Sequence, residues 1–143
     1  MALALAEARA AAARGEVPVG AVVVSADGRV LAACGNRMRE RSDPTAHAEI
    51  EAIRLACTAV GLPRLDGCDL YVTLEPCPMC AGAISAARLR RLYFGAADPK
   101  SGGVEHGPRV FSHLTCHHAP DVYGGIAEAE AAGLLTDFFA SRR

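Results

Sequence analysis

Two short stretches, His47-Ala48-Glu49 and Pro76-Cys77-Pro78-Met79-Cys80, carry the residues best suited to chemistry. One imidazole and two thiolates form a soft donor set that suits Zn²⁺. Three protein ligands leave a fourth tetrahedral position open, as a catalytic metal requires. Glu49 lies too near His47 in sequence to share its metal easily, but it can reach a water held at the open position. Metal-assisted hydrolysis with a carboxylate moving protons is the chemistry this set implies.

The spacing sharpens that reading. A lone CxxC also occurs in redox sites and structural zinc knuckles. Here Pro76 precedes it, and HxE stands 30 residues upstream of the first cysteine. That combination resembles the pattern of zinc-dependent nucleobase deaminases. A purely structural zinc site would want a fourth protein ligand. Cys34, Cys57, Cys68 and Cys116 are the remaining thiols, and none has motif spacing; all fit as small buried hydrophobes. A Glu is usually a solvated surface charge, but two positions from a metal ligand Glu49 reads as catalytic. Cys116-His117-His118 suggests a second metal site, yet no partner ligands lie at supporting spacing, so a surface or partly packed loop is the better reading.

The elements around these residues are readable in outline. The Ala-rich residues 2–14 favour a helix ending near Gly15. Val19 to Ser25 is a continuous β-branched run, Asp27-Gly28 a turn, and Arg29 to Cys34 a returning strand. Asn36 to Pro44 reads as a polar loop. A helix is expected from about Thr45 to Val60, with an apolar face of imperfect period. Leu70 to Leu74 is a second buried strand, followed by a helix from the cysteine motif to about Ala87 and a strand from Leu89 to Gly95. Residues 96–122 are rich in Gly, Pro and His and have no clear period. Gly125 to Ser141 reads as a closing helix. Both ligand groups thus fall at helix starts, where the positive end of the dipole and free N–H groups stabilise thiolates. Pro78 sits in a first turn, where its missing N–H costs little. Strands alternating with helices predict an α/β fold, a three-layer α/β/α sandwich opened by a hairpin, with a mixed central sheet of about five strands.

With 143 residues, a single domain over 1–143 is expected, large enough to bury a core. Hydrophobic residues at 51% and charged residues at 22% are ordinary globular usage, which argues against disorder. A net charge of −1 gives no global sign of a nucleic-acid binder, so any such surface must be local. The start lacks a basic, apolar secretory signal, and no run approaches the ~20 apolar residues of a membrane span. Six cysteines without such a signal point to a reducing cytoplasm rather than a disulfide framework.

Longer strings narrow the resemblance. Glu16 to Val22, Gly35-Asn36-Arg37, Asp43 to Glu49, Tyr71 to Cys77, Cys80 to Ala83, Phe94-Gly95-Ala96 and Asp137-Phe138-Phe139 together resemble the bacterial tRNA-specific adenosine deaminases, with the cytidine deaminase-like fold. The resemblance spans nearly the whole chain. It implies deamination of the wobble adenosine to inosine in the anticodon loop of an arginine tRNA. It implies one Zn²⁺ per subunit on His47, Cys77 and Cys80, with Glu49 as proton shuttle. It further implies that the Asn36 side chain and the Ala48 backbone N–H hold the base edge, and that Asp98, Lys100, Phe139, Arg142 and Arg143 meet the anticodon loop. A homodimer drawing on both subunits, with no membrane association, completes the expectation.

Two alternatives compete. A deaminase of free bases or nucleosides is one, and guanine deaminases are nearest because they share HAE and PCxxC. Cytidine deaminases proper carry Cys where His47 stands, and riboflavin-pathway deaminases have a longer gap between the cysteines. A non-catalytic scaffold subunit is the other; such subunits commonly lose the Glu, and Glu49 is present. The arginines at 37, 39 and 41 and at 88, 90 and 91 read individually as solvated.

Overall fold

Residues 1–143 are described by a computed structural model, and they build on one five-stranded sheet. The order along the chain is α1 (Ala2–Ala13), β1 (Gly20–Val24), β2 (Val30–Gly35), α2 (Met38–Arg41), α3 (Ala48–Val60), β3 (Asp69–Leu74), α4 (Pro78–Ala86), β4 (Arg91–Ala96), a 3₁₀ turn (Val110–Ser112), β5 (Asp121–Tyr123) and α5 (Glu128–Ala140). The spatial order is β2-β1-β3-β4-β5. β1 pairs antiparallel with both β2 and β3, whereas β3, β4 and β5 run parallel. Parallel strands need crossovers, and the helix α4 supplies the one between β3 and β4. The mixed sheet and its α/β/α layering are those the sequence predicts.

Alternation along each strand sorts the two faces. Ala21 and Val23 of β1, Leu70 and Val72 of β3, and Leu92 and Phe94 of β4 pack with Ala48, Ala52 and Ala56 of α3 and with Ala81 and Ile84 of α4. A smaller cluster joins Leu5 of α1, Ala131 of α5 and Ala96. The Ala-rich composition of α1 has a direct structural reason. Ala4, Ala8 and Ala11 are fully buried at helical spacing. Opposite them stand Gly20 and Gly35, which are paired across β1 and β2. A Cβ at Gly20 would overlap the Ala4 carbonyl oxygen and come within 2.6 Å of Ala8 N, and one at Gly35 would come within 2.8 Å of Glu7 O. Backbone-to-backbone contact this close requires small residues on both sides.

Two elements depart from the sequence reading. The polar stretch after Asn36 contains the short helix α2, closed by Ser42 in a left-handed conformation. It buries none of its residues and so leaves no hydrophobic period. Its support is remote. The buried Glu16 carboxylate accepts the Glu40 N–H at 2.9 Å, and Arg41 pairs with the buried Glu51 at 3.1 Å. The second is β5, three residues long and with only Val122 half-buried, which exists because β4 offers it a parallel edge. No helix is long and apolar enough to cross a membrane.

Candidate active site

The two motifs meet at adjacent helix starts. His47 is the N-cap of α3 and Cys77 the N-cap of α4, both with extended backbone. Pro78 is the first residue of α4, pre-set in φ and lacking a hydrogen nothing there would accept. Cys80 follows one turn into the helix and is fully buried. His47 Nδ1 lies 3.6 Å from Cys77 Sγ and 3.5 Å from Cys80 Sγ. All three donor atoms lie within 4.8 Å of one another. Bonds of about 2.3 Å to sulfur and about 2.0–2.1 Å to nitrogen, opened at the tetrahedral angle, put S and N about 3.6 Å apart. Both N–S separations are those of a tetrahedral Zn²⁺ site. Cys34, Cys57, Cys68 and Cys116 stay outside this cluster, so no fourth protein ligand closes it.

Local electrostatics favour a thiolate at Cys77. The Cys80 side chain hydrogen-bonded to Cys77, aided by His47, holds the Cys77 thiol down to about 4 against the effect of burial. Cys80 is correspondingly pushed up by that same bond and by burial. Glu49 on α3 is buried, not solvated, and that burial raises its carboxyl above the ordinary range. A carboxyl so placed holds a proton more readily than one in water, as a shuttle requires.

His47, Glu49 and Cys77 line a cavity of about 180 Å³ together with Val17, Val19, Asn36, Met38, Leu74, Glu75, Asp98 and Ser101. Asn36 is buried beside the ligands, and its Oδ1 accepts the Ala48 N–H at 2.7 Å. The resemblance gives both the Asn36 side chain and the Ala48 N–H to the base edge; here that N–H is already engaged by Asn36 Oδ1, which leaves the Asn36 amide NH₂ as the free donor of the pair. Val17, Leu74, Asp98 and Ser101 also line a second, wider cleft of about 580 Å³, completed by Ala97, Lys100, Leu135, Phe139 and Arg143. Four of the five residues expected to meet RNA thus surround one cleft beside the catalytic cavity. The fifth, Arg142, lies over the Phe138 ring at 4.1 Å from its centroid. Asp98 is partly committed to its own loop, since Oδ1 accepts the N–H groups of Lys100 and Ser101.

Sequence reasoning did not single out Val17, Met38, Leu74, Glu75 or Ser101 as site residues. The apolar ones carry no chemical signal, and their role is to wall the cavity. Cys116, His117 and His118 form no metal cluster. Cys116 Sγ contacts Ser85, and His118 Nε2 donates to the Leu89 carbonyl at 2.6 Å, so this segment braces the far end of α4.

Known proteins agree with the geometry. The family model of MafB19-like deaminases matches residues 1–143. A tRNA-specific adenosine deaminase of Agrobacterium fabrum is 65% identical over 143 residues, covering 100% of this chain and 93% of the relative. A solved structure of a tRNA:A34 deaminase, from work on A-to-I editing at the wobble position, superposes with a TM-score of 0.93 at 67% identity, covering 94% of this chain and 97% of that one. The guanine deaminase of Nitrosomonas europaea shares the fold with a TM-score of 0.84 at 27% identity, covering 97% of this chain and 82% of that one. The chain belongs to the tRNA-specific adenosine deaminases.

Proposed function

We propose that this chain, as a single catalytic domain, hydrolyses the wobble adenosine of a tRNA anticodon loop to inosine and ammonia, with an arginine tRNA as substrate. One observation carries the reading beyond family membership. The small cavity lined by Glu49, His47 and Cys77 shares four of its walls, Val17, Leu74, Asp98 and Ser101, with a wider cleft bearing Lys100, Arg143 and Phe139. A free-base deaminase needs only the first. An RNA enzyme needs a place for the phosphates and bases flanking the extruded one.

In this reading His47, Cys77 and Cys80 hold one Zn²⁺ per subunit. When bound, the ion supplies Lewis-acid activation of water near neutral pH. Glu49 takes a proton from the attacking water and delivers it to N1 of the purine ring. It then takes the proton of the new C6 hydroxyl and passes it to the 6-amino group, which leaves as ammonia as the C6 carbonyl forms. Asn36 and Ala48 act as a unit: the Ala48 N–H fixes Oδ1, which leaves the Asn36 amide NH₂ to donate to the base edge. Val17, Val19 and Leu74 exclude bulk water around the reacting carbon. Asp98, Lys100, Phe139, Arg142 and Arg143 receive the anticodon loop. A loop nucleotide is cheaper to extrude than one stacked in a duplex, which suits so small an enzyme. Homodimeric assembly and a cytoplasmic location accompany this reading.

The test is inosine formation in an arginine-tRNA anticodon stem-loop with adenosine at the wobble position, beside free adenosine, guanine and cytidine. Product in the stem-loop alone supports the proposal. Turnover of guanine with inert RNA would favour the guanine deaminase reading, which the shared fold with the Nitrosomonas europaea enzyme keeps in play.

A further inference from the structure

Five N–H groups converge on one buried carboxylate that the chemistry above leaves unused. Glu75 stands at the end of β3, two residues before Cys77, and its side chain is 0% exposed. Oε2 accepts the backbone N–H groups of three consecutive residues, Val104, Glu105 and His106, at 3.2, 3.0 and 3.1 Å. Oε1 accepts the Asp98 N–H at 3.1 Å and the His106 Nδ1–H at 2.7 Å. Successive N–H groups curled around one point form an anion-binding nest. Here the anion comes from the chain itself.

What the carboxylate holds gives it a role. The segment from Asp98 to His106 contains no helix or strand. Asp98 braces its first turn through the N–H groups of Lys100, Ser101 and Gly102, and Glu75 holds its two ends, at Asp98 and at Val104–His106. Gly102 fits only because it lacks a side chain: a Cβ there would overlap Glu75 Oε2. Yet this segment carries Asp98 and Ser101, which face both the catalytic cavity and the wider cleft, and Lys100, which faces the cleft. The short run Glu75-Pro76-Cys77 therefore fixes a metal-ligating sulfur at one end and the substrate-facing loop at the other. Gly103 N–H donating to the Pro76 carbonyl at 2.8 Å ties the same two parts together.

We propose that Glu75 is a positioning residue for the RNA substrate, seating the Asp98–His106 loop so that its side chains meet the anticodon loop at the mouth of the cavity. The inference rests on the reading of Asp98 and Lys100 as RNA contacts. Glu75 forms part of the cavity wall, but its carboxylate is taken up by five N–H groups of the loop, so it acts through the loop and not on the base.

Glu75→Gln is the test variant. Its one carbonyl oxygen can serve the three-residue nest, while its NH₂ turns toward the Asp98 N–H and breaks that tie. Expected are unchanged zinc content, KM for the anticodon stem-loop raised about tenfold, the effect of about one hydrogen bond, and kcat little altered. Amide exchange should quicken at Asp98 while Val104, Glu105 and His106 stay protected. A parent-like KM would overturn the inference, and so would loss of zinc with kcat, which would make Glu75 a support for Cys77 alone. Lys100→Ala, run in parallel, separates the two claims: if only that variant keeps the parent KM, Lys100 is not an RNA contact and the role of Glu75 stands. Should Glu75→Gln fold poorly, His106→Ala removes one donor from the same carboxylate and carries the same KM readout.

Discussion

Asn36 Oδ1 and the Ala48 backbone N–H are 2.7 Å apart, which ties the end of β2 to the first turn of α3 at the mouth of the catalytic cavity. The bond does two things. It satisfies one of the orphan N–H groups at the start of α3, which His47 as N-cap does not satisfy with its side chain. It also fixes which way the Asn36 amide points, so that donors and not the acceptor face the base.

These two jobs separate by substitution. Asn36→Ala strands a buried N–H and should cost about 1–3 kcal/mol of stability, as well as base binding. Asn36→Asp keeps an acceptor for Ala48 beside a helix N-terminus that favours negative charge, so its melting temperature should stay close to the parent's. It loses the amide donors, and kcat/KM on the stem-loop should fall about 100-fold. An Asp variant as active as the parent would mean that Asn36 only caps the helix.

Glu49→Gln should retain one zinc per chain and lose deamination by about 10²–10⁴, the usual range for removing a positioned acid–base group. The substitution is nearly isosteric, and at a buried position it removes a charge that burial disfavours, so folding should not suffer. Metal analysis and inosine formation on the same preparation check this. Substantial residual turnover would remove Glu49 from the proton path.

Much of this arrangement is legible in sequence, because the informative residues are local. The strand from Gly20 to Val24 and its hairpin follow from a β-branched run and Asp27-Gly28. The starts of α3 and α4 follow from His47 and from Cys77-Pro78. What escapes is held by distant partners. Helix α2 depends on Glu16 and Glu51, and β5 exists only against β4. The unperiodic stretch after Ala96 takes its shape from Glu75, more than twenty residues upstream. No window of sequence short enough to show a period contains both ends of such contacts.

The metal cluster should also support the fold. Cys80 is fully buried in the first turn of α4, and three donors gathered at two helix starts are held together by whatever they bind. A ligand that binds only the native state stabilises it by mass action, about 4 kcal/mol at a thousandfold excess over Kd. Cys80→Ala should lose zinc, and its melting temperature should match that of parent protein treated with a strong chelator. Full zinc occupancy in Cys80→Ala would show that the ligand set is wrong.

Packing of α1 gives the last prediction, which concerns stability alone. Gly20 lies under α1 where a methyl group would collide with the Ala4 carbonyl oxygen and Ala8 N, and backbone atoms of a helix cannot swing aside as a side chain can. Gly20→Ala should therefore push α1 off the sheet, at a cost of about 1–3 kcal/mol or more. Gly133→Ala on α5 is the contrast, because nothing lies within 4 Å of a Cβ there, and a helical Gly→Ala change should stabilise by about 0.5–1 kcal/mol. Denaturant midpoints of the two variants should shift in opposite directions. A neutral Gly20→Ala would mean that α1 adapts to the added methyl, and that the buried alanine face at Ala4, Ala8 and Ala11 is not what sets its distance from the sheet.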